Sequence, residues 1–255
     1  MAWSEMTGLS RTALAALGLA LFLAVWEALP RLGLLNATLV PPPSEIPAAL
    51  FREIRSGVWI AAVLSSLSHY LTGLGVGAAL GVALGIASGM FRMVEDLTAW
   101  IVRLIRPIPG LAWVPFAIIW FGVEPSAAVF IIAIGVFWIV FFATQGAIRG
   151  VDRDLIEVAQ AFGFRSSGAR LIKILLPAAT PGIMVGLRTA LGQAWMAVVA
   201  AEIFGVPGVG QRMMQASSLL ATDIVLVYML TMAGLYGLID TAFVAAQNWL
   251  LRWRA

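Results

Sequence analysis

Long apolar segments separated by short polar stretches run along the whole chain. Six of them stand out, at 12–29, 71–90, 97–121, 126–148, 178–204 and 224–248. Each is close to the roughly 20 residues that a helix needs to cross the hydrocarbon core of a bilayer. A barrel would show shorter strands of alternating polarity instead. We therefore predict an all-α integral membrane protein with about six transmembrane helices, in which residues 1–255 form one domain.

The composition agrees with this prediction. Hydrophobic residues make up 61% of the chain and charged residues 11%, whereas soluble domains carry about 25% charged residues. The first apolar segment could be a cleaved secretory signal, but further segments follow and no small-residue cleavage pattern stands out, so we interpret it as a transmembrane helix. With no Cys and one His, His69, we expect no disulfide, no thiolate chemistry and no metal site.

The basic residues cluster at the ends of the apolar segments. Nine lie on the side of the predicted termini, namely Arg11, Arg92, Arg149, Arg153, Arg165, Arg170, Lys173, Arg252 and Arg254, and four on the other, namely Arg31, Arg52, Arg55 and Arg212. Because cytoplasmic loops carry the excess of Lys and Arg, this asymmetry predicts that both termini are cytoplasmic. The clustering of the basic residues therefore reports topology, and we expect no nucleic-acid partner despite the net charge of +3.

Glycine and proline mark two of the predicted helices. In the second, glycine recurs at every fourth position, at Gly73, Gly77, Gly81, Gly85 and Gly89. A helix face without side chains allows a neighbouring backbone to approach closely. In the third, RPIPGLAWVP places prolines at 107, 109 and 115, which should break or kink the helix. Irregular backbone at membrane depth is tolerated where it lines a cavity, so this segment is a candidate wall of a pathway.

The polar segment of residues 149–177 predicts two short helices. Asp154 precedes Glu157 by three residues, which is typical of a helix start. Gly163 can end this helix, and a second helix should run from about 166 to 176. Pro177 is well placed to begin the fifth span. We name residues 149–177 the coupling segment.

One face of the first short helix is apolar. Leu155, Val158 or Ala159, and Phe162 recur at helical spacing, whereas Glu157 and Gln160 lie on the rest of the helix. Such a face favours burial over contact with water. We therefore expect it to fit into a groove of a partner.

The sequence of the coupling segment resembles a motif of a known family. LIEVAQAFG followed by ILLP resembles the cytoplasmic loop motif of permease subunits in bacterial ABC importers, in which Glu-Ala-Ala is followed by Gly and, about nine residues later, by Ile-x-Leu-Pro. The matching positions are Glu157, Ala159, Gly163, Ile174, Leu176 and Pro177. Val158 replaces the first Ala of the motif, and ten residues separate Gly163 from Ile174.

Other stretches extend the resemblance over nearly the whole chain. LVPPPSEIPAAL, RPIPGLAWVPFAIIWFG, AWMAVVAAEIFG and ATDIVLVYML look like the branch that imports nitrate, sulfonates and taurine. The resemblance implies a type I importer permease in the inner membrane, working as a homodimer amid membrane lipid. It also implies two ABC ATPase subunits and a periplasmic or lipid-anchored substrate-binding protein as partners. The residues implied to couple to the ATPase are Leu155, Glu157, Val158, Ala159, Phe162, Gly163 and Pro177.

The chain itself lacks the residues of an ATPase. A phosphate-binding loop ends in Gly-Lys-Ser/Thr, and the sole lysine, Lys173, lies in LIKIL. ATP and Mg are therefore expected on the partner subunits, and we predict no cofactor and no catalytic residue here. A membrane-embedded enzyme would need a nucleophile with a base, or a cluster of metal ligands, and the sequence of the spans shows neither. The remaining alternative is a self-sufficient secondary transporter or channel, against which the amphipathic coupling segment argues.

Ionisable residues inside spans are costly and point to function. Arg106 either extends to the headgroups or faces the pathway beside Pro107, and Arg188 either pairs with a carboxylate or attracts substrate. Glu202 either bonds the Gly-rich loop that follows it or acts as a gate, and Asp240 is expected to bond a neighbouring helix. Our hypothesis is a pathway lined by Arg106, Pro107, Arg188 and Glu202, with a positive bias suited to a small anion.

The loop GVPGVGQRMMQASS precedes the last span. Gly205, Pro207, Gly208 and Gly210 predict turns, followed by a short helix. It is either an ordinary connection or a surface touched by the loaded binding protein.

Overall fold

The structure, a computed structural model, describes residues 8–164 and 166–254. Arg165, one of the basic residues counted above, lies outside the described residues. The α-helices are α1 Gly8–Arg31, α2 Ile46–Arg55, α3 Val58–Met90, α4 Arg92–Ile105, α5 Val114–Phe121, α6 Pro125–Arg149, α7 Arg153–Ala161, α8 Ser167–Arg170, α9 Leu176–Ile203, α10 Val209–Ser218 and α11 Thr222–Leu250. No strand occurs in these two ranges, so the all-α prediction is confirmed.

The long apolar helices agree with the predicted spans, with one correction. Five helices of the described chain are long and apolar enough to cross a membrane: Thr12–Arg31, Val58–Met90, Pro125–Arg149, Ser167–Ile203 and Thr222–Leu250. The predicted third span, 97–121, is not one straight helix. It is a pair of helical pieces, Arg92–Ile105 and Gly110–Phe121, bent by 85° at the break between them.

Proline causes this break, as the sequence predicted. The α4 helix ends at Ile105, and Pro109 takes an extended conformation with φ −63° and ψ 144°. Since Pro107 and Pro109 lack N–H groups, they cannot continue the hydrogen-bond ladder of α4. A short 3₁₀ turn, Gly110–Trp113, then leads into α5, where Pro115 lies in the first turn and is tolerated.

The chain forms two compact units: Met1–Ala61 with Arg212–Thr231, and Ala62–Gln211 with Met232–Ala255. Polar contacts hold the first unit together. Arg52 Nη2 lies 2.6 Å from Asp223 Oδ2, and Trp59 Nε1 donates to Thr231 Oγ1 at 2.9 Å. In the same unit Glu27 accepts hydrogen bonds from the backbone N–H and the hydroxyl of Ser44, at 3.1 and 2.8 Å.

The second unit is built around close contact between α3 and α6. A Cβ placed on Gly77 would lie 2.5 Å from the Ala133 carbonyl oxygen, and one on Gly85 2.7 Å from Thr144 Cβ. The same holds along the whole glycine row of α3, at Gly73, Gly77, Gly81, Gly85 and Gly89. The predicted role of this row, tight helix packing, is confirmed.

Small residues also bring α9 against α6. A Cβ on Gly182 would lie 2.8 Å from Ala147 Cβ, and one on Gly186 would overlap Ala143. The central helix α6 therefore packs α3 on one side and α9 on another, and this core positions the residues described next.

Candidate functional site

The coupling segment begins with a capped helix, but the cap is not the predicted one. Asp152, two residues earlier than expected, takes the N-cap position, and its side chain accepts the backbone N–H of Asp154 at 3.0 Å. Asp154 lies in the first turn, where its negative charge suits the positive end of the helix. A helix begins here as predicted, but the capping residue is Asp152 and not Asp154.

The exposed side of α7 carries three apolar side chains, which we name the α7 face. Leu155 is 47% exposed, Val158 54% and Phe162 79%. Ala159, one of the alternatives for this face, is buried instead, and Ile156 packs against a core cluster of the same unit. The helix thus contacts the rest of its unit through Ile156 and Ala159 and leaves the three side chains of the α7 face uncovered. Glu157 is exposed as well.

Gly163 ends α7 as predicted. Its φ of +93° lies in the region that residues with a Cβ rarely adopt. Phe164 N–H donates to the Ala159 carbonyl at 3.0 Å, and Gly163 N–H donates to the Gln160 carbonyl at 3.1 Å. These bonds satisfy the last carbonyls of the helix and reverse the chain.

We predicted a second short helix that ends before the fifth span, but the two form one continuous helix. Ser166 caps it by accepting Ala169 N–H at 3.2 Å, and the helix then continues through a π turn, Leu171–Leu175, into α9. Pro177 lies in the first turn of α9, directly after this π turn. Because proline cannot donate to the preceding turn, a locally widened helix at this point is physically reasonable. One helix, Ser167–Ile203, therefore joins the coupling segment to the span.

Arg188 and Asp240 form an ion pair between two spans. Arg188 Nε and Nη2 donate to Asp240 Oδ1 and Oδ2 at 2.9 and 2.8 Å, a two-pronged geometry that matches the planar guanidinium. The pairing predicted for each residue is therefore present. The side chains remain 49% and 27% exposed, so the pair is not enclosed by its own chain.

Arg106 lies at the break after α4 and is differently placed. Its guanidinium carbon is 4.4 Å from the centroid of the Phe142 ring, and this ring stacks with Trp138 at 6.2 Å. Among the described residues no carboxylate lies within ion-pair distance of Arg106, so its charge is not neutralised as that of Arg188 is. Arg106 and Pro107 are both exposed.

Glu202 is fully buried near the end of α9, in a polar cluster. Its two carboxylate oxygens accept the Ser66 hydroxyl at 2.7 and 2.8 Å and the Gly210 backbone N–H at 2.8 Å. His69 Nδ1 lies 3.1 Å from Oε1. The Ser66 oxygen also accepts Val209 N–H at 2.9 Å. The hydrogen bond to the Gly-rich loop, one of our two predictions for Glu202, is present, whereas its role as a gate stays a prediction.

Sequence reasoning missed several of these partners. Ser66 and His69 precede the predicted start of the second span at 71, because polar residues lowered the apolar character of the first turns of α3. Gln193, five residues after Arg188, and Tyr236, four residues before Asp240, also lie inside spans and were not singled out. Polar side chains within apolar segments were the available signal.

Glu53 and Arg212 form a second ion pair, in the first unit. Arg212 Nε and Nη2 donate to the Glu53 carboxylate at 3.1 and 2.8 Å, and the Tyr228 hydroxyl donates to it at 2.7 Å. The hydrogen bonds from Arg212 hold the pKa of Glu53 below its ordinary value, although burial opposes this. In turn, the hydrogen bonds with Glu53 raise the pKa of Arg212. This pair joins α2 to α10 and holds the loop before the last span.

Charged and polar side chains exposed halfway along apolar helices are unsuited to contact with lipid tails. They are typical of a protein that surrounds an aqueous path, which places this chain among the membrane transport proteins. The model of one family, the inner membrane components of binding-protein-dependent transport systems, matches residues 77–255. The chain belongs to this family, as the resemblance in its sequence indicated.

Named relatives and a solved structure agree with this assignment. The aliphatic sulfonates transport permease protein SsuC of Escherichia coli is 36% identical over 233 residues, covering 90% of this chain and 88% of that protein. The taurine transport system permease protein TauC of the same species is 31% identical over 252 residues, covering 96% and 91%. A chain of the MetNI methionine ABC transporter in an inward-facing conformation matches the fold with a TM-score of 0.58 at 21% identity, covering 73% of this chain and 96% of that one. The type I importer permease fold is therefore confirmed.

Proposed function

We propose that this permease imports a small oxyanion, such as a sulfonate, taurine or nitrate, and that ATP hydrolysis on separate partner subunits drives the import. The α7 face is the single observation that carries the ATP-driven part of the proposal. Three large apolar side chains on one short helix remain uncovered although the helix itself is capped, ended by Gly163 and packed on its own unit. A groove on an ATPase subunit would cover them.

The docking surface consists of Leu155, Glu157, Val158 and Phe162. Ala159 would contribute by packing α7 onto its own unit, and Gly163 and Pro177 by shaping the segment. ATP and Mg would bind to the ATPase alone, because this chain has no Gly-Lys-Ser/Thr sequence. Closure of two ATPase subunits around nucleotide would move α7, and α7 would move α9.

The proposed orientation follows the charge asymmetry. Both termini and the coupling segment would face the cytoplasm, where the ATPase subunits lie. The loop that contains Gly205 and α10 would face outward, toward a periplasmic or lipid-anchored binding protein. A second copy of this chain, within the lipid of the inner membrane, would complete the pathway.

The pathway would be lined by Arg106 and Pro107 at the helix break and by Arg188 in α9. The guanidinium groups of Arg106 and Arg188 would favour an anion over a cation of the same size. The relatives named for aliphatic sulfonates and taurine support an anionic head group as cargo. Both oxygens of Glu202 are occupied by Ser66 and Gly210, so as a gate it would have to break these bonds.

A co-purification experiment tests the ATPase-driven part. The chain would be produced with the ATPase encoded beside it, and the complex isolated in mild detergent. We expect the double variant Val158→Ser with Phe162→Ser to lose the ATPase, because it removes the most exposed apolar side chains of α7. The variant should remain folded, since neither side chain is buried.

The matched control is Gln160→Ser, an exposed polar position on the same helix. It should retain the ATPase at the wild-type level. If the double variant also retains it, the α7 face is not the docking surface. If the wild type never retains an ATPase and the purified chain alone moves solute into liposomes, the chain works as a secondary transporter instead.

A further inference from the structure

The exposed side of α9 carries polar groups at the middle of a span. By helical rise, Arg188 lies about 18 Å from one end of α9 and about 22 Å from the other. Arg188, Thr189 and Gln193 are all exposed. Steps of 100° place them within one broad side of the helix, together with the exposed apolar residues Val185 and Met196. Lipid tails cannot satisfy a guanidinium or an amide at this depth, so this side of α9 faces water or another protein surface.

The α11 helix contributes its own polar groups to the same place. Asp240 pairs with Arg188, and Tyr236 lies one turn before Asp240. A Cβ on Gly192 would lie 3.1 Å from the Tyr236 hydroxyl, so this hydroxyl is over α9, one turn beyond Arg188. Within the described ranges it has no hydrogen-bond partner. A guanidinium, a carboxylate and a phenol therefore lie together at mid-span.

We propose that this surface is the oxyanion site of the pathway, and that Asp240 is a built-in competitor that occupies Arg188 until the substrate replaces it. This inference rests on the proposed import of an oxyanion. The two N–H groups that Arg188 directs at the Asp240 oxygens fit any ligand with two oxygens on one atom, as in sulfonate, nitrate or carboxylate. The Tyr236 hydroxyl would donate a hydrogen bond to a further oxygen.

An internal competitor has a physical advantage in a transporter. An unpaired arginine at low dielectric would hold an anion strongly and release it slowly, whereas transport needs binding that is weak enough to reverse. With Asp240 beside it, each released anion is replaced at once by a tethered carboxylate. The guanidinium of Arg188 is then never left without a counter-charge inside the span.

The test measures anion binding to the purified complex of permease and ATPase, without a binding protein. Equilibrium titrations with ethanesulfonate and with nitrate would compare wild type with Asp240→Asn and Arg188→Gln. If Asp240 occupies Arg188 about nine-tenths of the time, its removal should tighten binding about tenfold. Arg188→Gln should abolish binding. In proteoliposomes with the binding protein, Asp240→Asn should lower the maximal uptake rate, because release becomes slow.

A purely structural ion pair predicts no tightening of anion binding in Asp240→Asn. If Asp240→Asn binds the anions no more tightly than wild type does, the competitor is refuted. If Asp240→Asn fails to assemble, Tyr236→Phe provides the test. The Tyr236 hydroxyl has no hydrogen-bond partner in the described chain, so its removal breaks no bond of the fold. We expect Tyr236→Phe to assemble normally and to bind the anions several-fold more weakly, and unchanged binding would refute the site. If the wild type neither binds nor imports either anion, the proposed function itself fails, which is a different result from the two above.

Discussion

Replacing Glu202 with leucine should release the loop before α10 from the rest of its unit. The carboxylate accepts hydrogen bonds from the Ser66 hydroxyl and the Gly210 N–H, and it lies fully buried. Leucine has a similar volume but no acceptor, so both donors would lose their partner out of reach of water. An unsatisfied buried group costs about 1–3 kcal/mol, which gives about 2–6 kcal/mol for the two donors.

Hydrogen exchange at the Gly210 amide measures this loss directly. Since a tenfold change in an opening equilibrium corresponds to about 1.4 kcal/mol, exchange should accelerate by about 25-fold or more. Glu124→Gln is the matched control, because Glu124 at the start of α6 makes no capping bond with its side chain. If Gly210 exchanges equally fast in wild type and Glu202→Leu, the carboxylate does not hold the loop and the argument from burial is wrong.

Two further predictions concern packing and pH. Gly77→Val should destabilise the protein by about 1–3 kcal/mol, since a Cβ there meets the Ala133 carbonyl at 2.5 Å, whereas Gly75→Ala, with open space around it, should leave the unfolding temperature in detergent unchanged. The Glu53 pKa is lowered in the folded protein, so its stabilisation is complete above the pKa of the unfolded carboxyl and is lost as the pH falls through the lowered value. Arg212→Met should flatten this acid dependence in thermal unfolding, and an unchanged slope would contradict the assignment.

Helix positions and breaks could be predicted because they depend on local pattern. The glycine row of α3 and the prolines at 107 and 109 act through the backbone at their own positions, so spacing alone reveals them. The first turns of α3, before residue 71, were missed, because Ser66 and His69 lower the average hydropathy there. Hydropathy reports average polarity, and it undervalues a polar group whose partner is elsewhere in the fold.

Partnerships between distant residues could not be assigned in the same way. Glu202 and His69 are 133 positions apart, and their contact depends on how α3 and α9 are aligned along their lengths. Charge type predicted that Arg188 would seek a carboxylate and that Asp240 would seek a neighbouring helix. Charge type could not identify Asp240 as the partner of Arg188. The helical period determines which side of a helix a residue lies on, but how two helices are aligned along their lengths depends on packing.

The continuous helix from Ser167 to Ile203 has the length and connections of a lever. Its 37 residues span about 55 Å at the usual rise, and the helix continues through the π turn and past both Pro177 and Pro181. A tilt of about 5° around one end of a straight helix of this length would displace the other end by about 5 Å. The N-terminal end of this helix follows α7 in the coupling segment. Near its C-terminal end, Glu202 accepts a hydrogen bond from Gly210 N–H in the first turn of α10. A small rotation at the coupling segment would thus be carried along one continuous helix and become a larger displacement at its far end.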